Sequence, residues 1–236
     1  MKVLVTGSTQ GIGKALAEAF VRRGDEVTVH CSRDLHKAER VRAEIGTAHA
    51  VTADLFDRAD TLSLYEKTGP VDALILNASV QIKQDWLHID EESFDKQLKV
   101  NLFSTLKLMQ LYYPAMEQAG FGRIVTVGSV NQHRQHPELG LYAATKCAVM
   151  SLVKNIAKVA APHGVTVNNV SPGAIATPRN AAVTADPLKK QAVEAQIPAG
   201  RFGELTDCVG AVLLLCSGSG AYITGADIMI NGGMHL

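Results

Sequence analysis

An α/β fold, a single doubly wound domain on a parallel sheet of about seven strands with helices on both faces, is what this sequence predicts. Three observations carry the prediction. The first 80 residues alternate between short β-branched runs and longer helical patterns. A turn of small residues joins the first run to the first helix. The alternation then continues to the C-terminus with no linker-like Pro/Gly/Ser run and no break in composition. At a prior of about 150 residues per domain the length admits one large or two small domains; the unbroken pattern favours one, spanning residues 1–236.

Strands are expected at Lys2 to Thr6, Glu26 to His30, Ala48 to Thr52 and Val71 to Leu76, and later at Arg123 to Val127, Val165 to Val170 and Ile228 to Asn231. Between the first two, Ile12, Leu16 and Phe20 recur every four residues as one apolar stripe, Glu18 and Arg22 form an i,i+4 pair, and Gly24 stands where a helix ends. Longer helical stretches run from Glu91 to Met116 and from Tyr142 to Ala161, the second with an expected buried stripe at Ala148, Leu152, Ile156 and Val159. The segment from Pro178 to Pro198 is polar and bounded by prolines, and is expected to be a substrate lid within the domain or a surface excursion.

Composition narrows the function. Hydrophobic residues at 47% and charged residues at 19% are globular values, which excludes disorder. Lys+Arg and Asp+Glu are both 23, so no basic field exists to gather nucleic acid or anionic lipid, and neither is expected as a partner. Cys31, Cys147, Cys208 and Cys216 match neither a zinc spacing nor a redox pair, and are expected to be reduced core thiols with no metal. The apolar run after Lys2 covers only Val3 to Val5, too short for a signal-peptide core, and no stretch approaches 18 apolar residues, so a cytoplasmic protein is expected.

Thr6, Gly7, Gly11, Ile12 and Gly13 lie between the first strand and the first helix, where small residues let backbone N–H groups and a helix N-terminus approach a pyrophosphate. The spacing is GxxxGxG rather than GxGxxG, so position is the informative part. A P-loop is rejected because Ser8 stands where its first glycine is needed and Ala15 follows Lys14. In NAD sites an acidic residue about 20 positions on binds the ribose hydroxyls. Here the run is His30-Cys31-Ser32-Arg33, with no carboxylate before Asp34, so Ser32 and Arg33 favour NADP(H), while NAD(H) stays open because Asp34 could rotate in or pair with Arg33.

Tyr142 and Lys146 are four apart on a predicted helix and project from one face, so they can act together. A free tyrosine has a pKa near 10, and a neighbouring ammonium draws it toward the working range. Ser129 closes a strand at the carboxyl edge, where open α/β sheets bind ligands, but Val127 and Asn131 rule out a GxSxG nucleophile elbow. Ser151 to Lys154 fits SxxK without its companion motifs, and the sequons at Asn77 and Asn169 end predicted core strands. These three are coincidences.

Together these residues resemble the short-chain dehydrogenase/reductase family across nearly the whole chain. The turn Thr6-Gly7-Ser8-Thr9-Gln10-Gly11-Ile12-Gly13 resembles its cofactor motif; Asp54, followed by Leu55, and Asn77-Ala78 resemble its adenine-side contacts. Asn101, Ser129, Tyr142 and Lys146, at intervals of 28, 13 and 4, resemble its catalytic tetrad, and Ser171-Pro172-Gly173-Ala174-Ile175-Ala176-Thr177 resembles the loop beside the nicotinamide. Ile223-Thr224-Gly225 and Asn231-Gly232-Gly233 resemble the C-terminal signature. Two departures stand out: Ser79 where the family has glycine, and Asn231 where it has aspartate.

The resemblance implies a Rossmann-like NAD(P)-binding domain, a homotetramer, and hydride transfer between a nicotinamide and a carbonyl or secondary alcohol. Tyr142 would then give the proton, Ser129 hold the oxygen, Lys146 bond the nicotinamide ribose and stabilise phenolate, and Asn101 organise a water linking Lys146 to solvent. Compact length is most similar to 3-oxoacyl-carrier-protein reductases, with acyl carrier protein as a candidate partner, and to sugar or polyol dehydrogenases. Arg179, Lys189, Lys190 and Arg201 near the lid could face an acidic carrier or a phosphorylated group, and His133, Arg134, Gln135 and His136, with Gln81 and Trp86, a hydroxylated or anionic substrate. A cofactor-sensing regulator without catalysis is the reading from a different class; such a protein is expected to lose Tyr142 or Lys146, and both are present.

Overall fold

A computed structural model describes residues 1–236. Seven parallel strands form one sheet: β1 (Lys2–Val5), β2 (Glu26–Cys31), β3 (His49–Thr52), β4 (Ala73–Leu76), β5 (Gly122–Val127), β6 (Val165–Pro172) and β7 (Asp227–Ile230), in the spatial order β3-β2-β1-β4-β5-β6-β7. Each predicted strand is present to within two residues at either end. The chain winds outward from β1 to β3, then returns to place β4 on the other side of β1, so strand order reverses between β1 and β4. A crevice at the carboxyl ends of those two strands follows from the reversal, because the connecting loops diverge to opposite faces there.

Helices cover both faces. Period-2 alternation sends Val3, Val5, Ile75 and Val125 to one side, where α1 (Gly11–Arg22) and α9 (Val209–Leu215) supply Leu16, Phe20, Val212 and Leu215. Leu4, Leu74, Ile124 and Val167 point to the other, against α3 (Arg58–Thr68), α5 (Ser104–Ala119) and α6 (Gly140–Ala160), which contribute Leu64, Tyr112, Met116 and Val153. A smaller cluster of Val29, Cys31, Ala38 and Val41 seats α2 (Leu35–Ile45). Asp34 caps that helix by accepting the Lys37 N–H at 2.8 Å.

Four local expectations are corrected. Glu18 pairs with Lys14 at 3.7 Å rather than with Arg22, because Lys14 is also drawn to Glu44 at 2.5 Å. The stretch from 91 is not one uniform helix: α4 (Glu91–Gln97) passes through a π-helical segment, Leu98–Phe103, before α5 begins. In α6 the buried face is Tyr142, Thr145, Lys146, Val149, Met150, Val153, Ala157 and Ala160. The predicted stripe is turned about one position away from it: Ala148, Leu152 and Ile156 are half-buried and Val159 is exposed. Cys31, Cys208 and Cys216 are buried thiols, but Cys147, on the outer side of the same helix, is exposed. The segment at 178–198 folds as a 3-10 turn followed by α7 (Ala181–Thr184) and α8 (Pro187–Glu194), both lacking buried residues. No helix is long and apolar enough to cross a membrane.

Candidate active site

A cleft of about 880 Å³ runs along the carboxyl edge of the sheet. Its floor at the strand reversal is the glycine turn. Gly7, at φ +64°, donates its N–H to His30 Nδ1 at 3.0 Å, and Ser8 and His30 exchange two further bonds, Ser8 N–H to the His30 carbonyl and His30 N–H to Ser8 Oγ. Since Nδ1 accepts, His30 carries its proton on Nε2 and donates it to the Ala53 carbonyl at 3.0 Å. Burial pushes the His30 pKa down to about 4, so the ring is neutral and the turn is tied to the ends of β2 and β3. Asn77 ties it to β4 through Nδ2–H bonds to the carbonyls of Thr6 (2.9 Å) and Gly7 (3.1 Å). A Cβ at Gly13 would lie 2.4 Å from both Asn77 Nδ2 and the Gly7 carbonyl, so only glycine lets α1 start this close to the turn.

Gln10 precedes α1 without a side-chain cap, and its first turn has no acidic residue. The N–H groups at that helix end therefore keep their capacity for an anion, and Gly11, Ile12 and Gly13 line the cleft. The group implied by the resemblance, a pyrophosphate dinucleotide, fits this cradle. Toward the adenine end, Ser32, Arg33, Asp54 and Leu55 line the same wall. Asp34 is committed to its cap, whereas Arg33 pairs with Asp54 at 2.5 Å, with its own side chain 77% exposed. Lys37, absent from the sequence reading, adds a second cation there, bonded to Gln10 Oε1 at 2.7 Å. The opposite wall is Pro172, Gly173, Ala174, Ile175 and Thr177, beside Ala78 and Ser79.

Ser129 and Tyr142 line the cleft, and Lys146 lies behind them. The Lys146 ammonium is 5.7 Å from the Tyr142 ring centre and donates to the Val127 carbonyl at 2.7 Å. Burial holds its pKa below the ordinary lysine value; the Tyr142 hydroxyl opposes that shift and the Arg179 charge adds to it. Asn101 sits in the π segment with both amide N–H groups used, on the Val80 carbonyl (2.9 Å) and Thr145 Oγ1 (3.1 Å), while its oxygen accepts the Val80 N–H at 2.9 Å. Its side chain thus fixes Val80 and the Tyr142 helix and makes no direct contact with Lys146. Neither Asn101 nor Lys146 lines the cleft wall itself.

A partly buried polar network joins Ser129 to distant parts of the chain, and no local pattern in the sequence marks it. Gln132 Oε1 accepts the Ser129 N–H at 2.8 Å, and Gln132 Nε2 reaches Asp227 at 3.4 Å. Asp227 also accepts from His133 Nε2 (2.8 Å), Asn169 Nδ2 (2.7 Å) and Ser171 Oγ (2.7 Å). These partners lie up to 95 residues apart, so no local motif announces them. The start of the 178–198 segment closes the far side: Arg179 donates from Nη2 to the Ser79 carbonyl (3.0 Å) and hydroxyl (3.2 Å), and from Nη1 to Gln81 at 3.4 Å. Lys189, Lys190 and Arg201 are taken up by acidic neighbours, Asp186, Glu194 and Asp207, and do not line the cleft.

Known proteins share this fold. The sequence profile of a family described as enoyl-(acyl carrier protein) reductase matches residues 7–235. A 3-oxoacyl-[acyl-carrier-protein] reductase of Haemophilus influenzae is 33% identical over 99% of this chain and 97% of its own length. Among solved structures, a short chain dehydrogenase/reductase family protein superposes with a TM-score of 0.93 at 30% identity, covering 100% of this chain and 97% of that one. A 3-oxoacyl (acyl-carrier-protein) reductase from Agrobacterium tumefaciens C58 with NADP bound gives 0.92 at 35% identity over 98% and 93%. A putative NAD(P)-dependent gluconate 5-dehydrogenase from Beutenbergia cavernae with bound NADP gives 0.92 at 32% identity over 99% and 96%. Matched over almost its full length in both sequence and fold, the chain belongs to the short-chain dehydrogenase/reductase family.

Proposed function

We propose that the protein is an NADPH-dependent reductase of a small carbonyl substrate, working through Tyr142, Lys146, Ser129 and Asn101. The observation that carries this reading is the buried Lys146 ammonium behind the ring of Tyr142, which lines the same cleft as an uncapped helix start. When bound, the nicotinamide supplies the hydride. Tyr142 donates its phenolic proton to the carbonyl oxygen as charge develops there, Ser129 Oγ–H holds that oxygen, and Lys146 stabilises the phenolate left behind. Asn101 acts as a positioning residue, fixing the helix that carries the pair. The opposite direction, alcohol oxidation, uses the same groups with Tyr142 as base.

Arg33 and Lys37 support NADPH over NADH, since a 2′-phosphate finds two cations there, and Asp54 can release Arg33 to it. For the substrate, a 3-oxoacyl thioester on an acyl carrier protein is supported by the named relatives. A sugar acid or polyol is the second reading, favoured by polar side chains around the cleft mouth and by the gluconate dehydrogenase likeness. Homotetramer assembly and a cytoplasmic site of action belong to the same proposal. Paired NADPH and NADH titrations followed by a panel of 3-oxoacyl thioesters, keto-sugars and diketones test it. Tighter NADPH binding with turnover of at least one class is expected; a clear NADH preference would remove the assignment of Ser32 and Arg33.

A further inference from the structure

Charge along the cleft is lopsided in a chain whose formal charges cancel. Arg33, Lys37, Lys83, Lys96, Arg134 and Arg179 line it, against only two carboxylates, Asp54 and Glu92. Arg33 and Lys37 stand at the adenine end, and Asp54 is paired with Arg33. Glu92 alone faces the other four. Arg134 and Arg179 have neutral partners only: Arg134 is bonded to Gln196, and Arg179 to Ser79 and Gln81.

Arg179 is the better placed of the two. It springs from the start of the lid, directly after the Pro172–Thr177 wall, and reaches across to the residues that follow β4, so its guanidinium spans the cleft near the catalytic pair. Its charge is felt by Lys146. Ser79, standing where the family carries glycine, supplies both the carbonyl and the hydroxyl that hold it there. Three contacts engage Nη1 and Nη2, and Nε–H has no partner, so the fork retains donors for an incoming planar anion. A guanidinium held by neutral groups over a reaction site is a carboxylate receptor, because its full charge is available to the ligand.

Building on the carbonyl-reductase reading, we propose that the natural substrate is an oxo-acid whose free carboxylate is held by Arg179, with Arg134 on the Ser129 loop as a second cation. A 3-oxoacyl thioester carries its acyl carboxyl carbon as a neutral thioester, so this proposal also divides the two substrate classes above.

The test compares kcat/KM for 3-oxo, 4-oxo and 5-oxo carboxylic acids with their methyl esters, using NADPH and the full-length protein, in the wild type, Arg179→Gln and Arg179→Lys. We expect an acid-over-ester preference of at least tenfold at one chain length, falling at least tenfold in Arg179→Gln and less in Arg179→Lys, which keeps the charge without the fork. NADPH affinity, read by fluorescence titration, is the control. An acid-to-ester ratio near one across the series, a ratio unchanged in Arg179→Gln, or tenfold weaker NADPH binding in that variant would each overturn the proposal, the last by assigning the guanidinium to the cofactor. Ester reduction without acid preference defeats this proposal alone, whereas a wild type that reduces no carbonyl at all defeats the reading beneath it.

Discussion

A neutral imidazole under the glycine turn has consequences that a surface histidine would not. Unfolded, His30 titrates near 6.5; folded, near 4. Between those values the unfolded chain binds a proton that the folded chain excludes, so His30 favours folding fully above pH 6.5 and progressively less as pH falls toward 4, by up to about 3 kcal/mol. Urea unfolding of the wild type and His30→Gln at pH 7.5 and pH 4.5 checks this: the wild type should lose more stability between the two values, and equal losses would contradict it. The tetrad and the glycine turn were legible in the sequence because each is a short pattern whose members are neighbours or fixed intervals apart. His30, Gln132 and Asp227 were not, since their meaning comes from Gly7, Ser129 and Asn169, 23, 3 and 58 positions away, and only folding sets the geometry of those pairs. Arg33 shows a subtler limit: the absence of a strand-end carboxylate was readable, but its pairing with Asp54, 21 residues on, was not.

Strands were easier to read than helices at the scale of elements. The inner parallel strands are buried on both faces and are largely apolar runs, while the edge strands β3 and β7 are only half-buried and are marked by short β-branched or apolar runs; β6 stands out despite Asn168 and Asn169, whose buried amides bond Ile223, Thr126 and Asp227. Helix periodicity reveals an apolar arc without saying which neighbour covers which part. In α6 the sheet-facing arc includes the polar Tyr142, Thr145 and Lys146 near the cleft, so periodicity alone points to the more uniformly apolar stripe beside it. Two substitutions probe how elements hold the site. Gly13→Ala drives a methyl into the Gly7 carbonyl and Asn77, and should weaken NADPH binding at least tenfold in a fluorescence titration. Asp227→Ala strips the acceptor shared by His133, Asn169 and Ser171; it should cost about 2 kcal/mol and lower Tm by about 4 to 8 °C, with reduced turnover as the Ser129 loop loosens.

For the whole molecule, zero net charge argues against a basic field over the surface, yet it conceals a cleft lined by six cations and two carboxylates. A sum over residues carries no information on where the topology gathers them. The half-buried Ala148, Leu152 and Ile156 with exposed Val159 leave an apolar strip on the outer side of α6, which suits a helix-to-helix interface between protomers. For the proposed homotetramer, light scattering should give four times the 25.2 kDa protomer mass, and Val159→Glu should shift it to smaller species. The proposed reaction centres on one phenol, that of Tyr142. The most direct measurement is NADPH oxidation by Tyr142→Phe, alongside its NADPH affinity, with a carbonyl compound that the wild type reduces. Unchanged affinity with turnover lower by about 100- to 10,000-fold is the predicted result; turnover equal to that of the wild type would show that the proton comes from elsewhere.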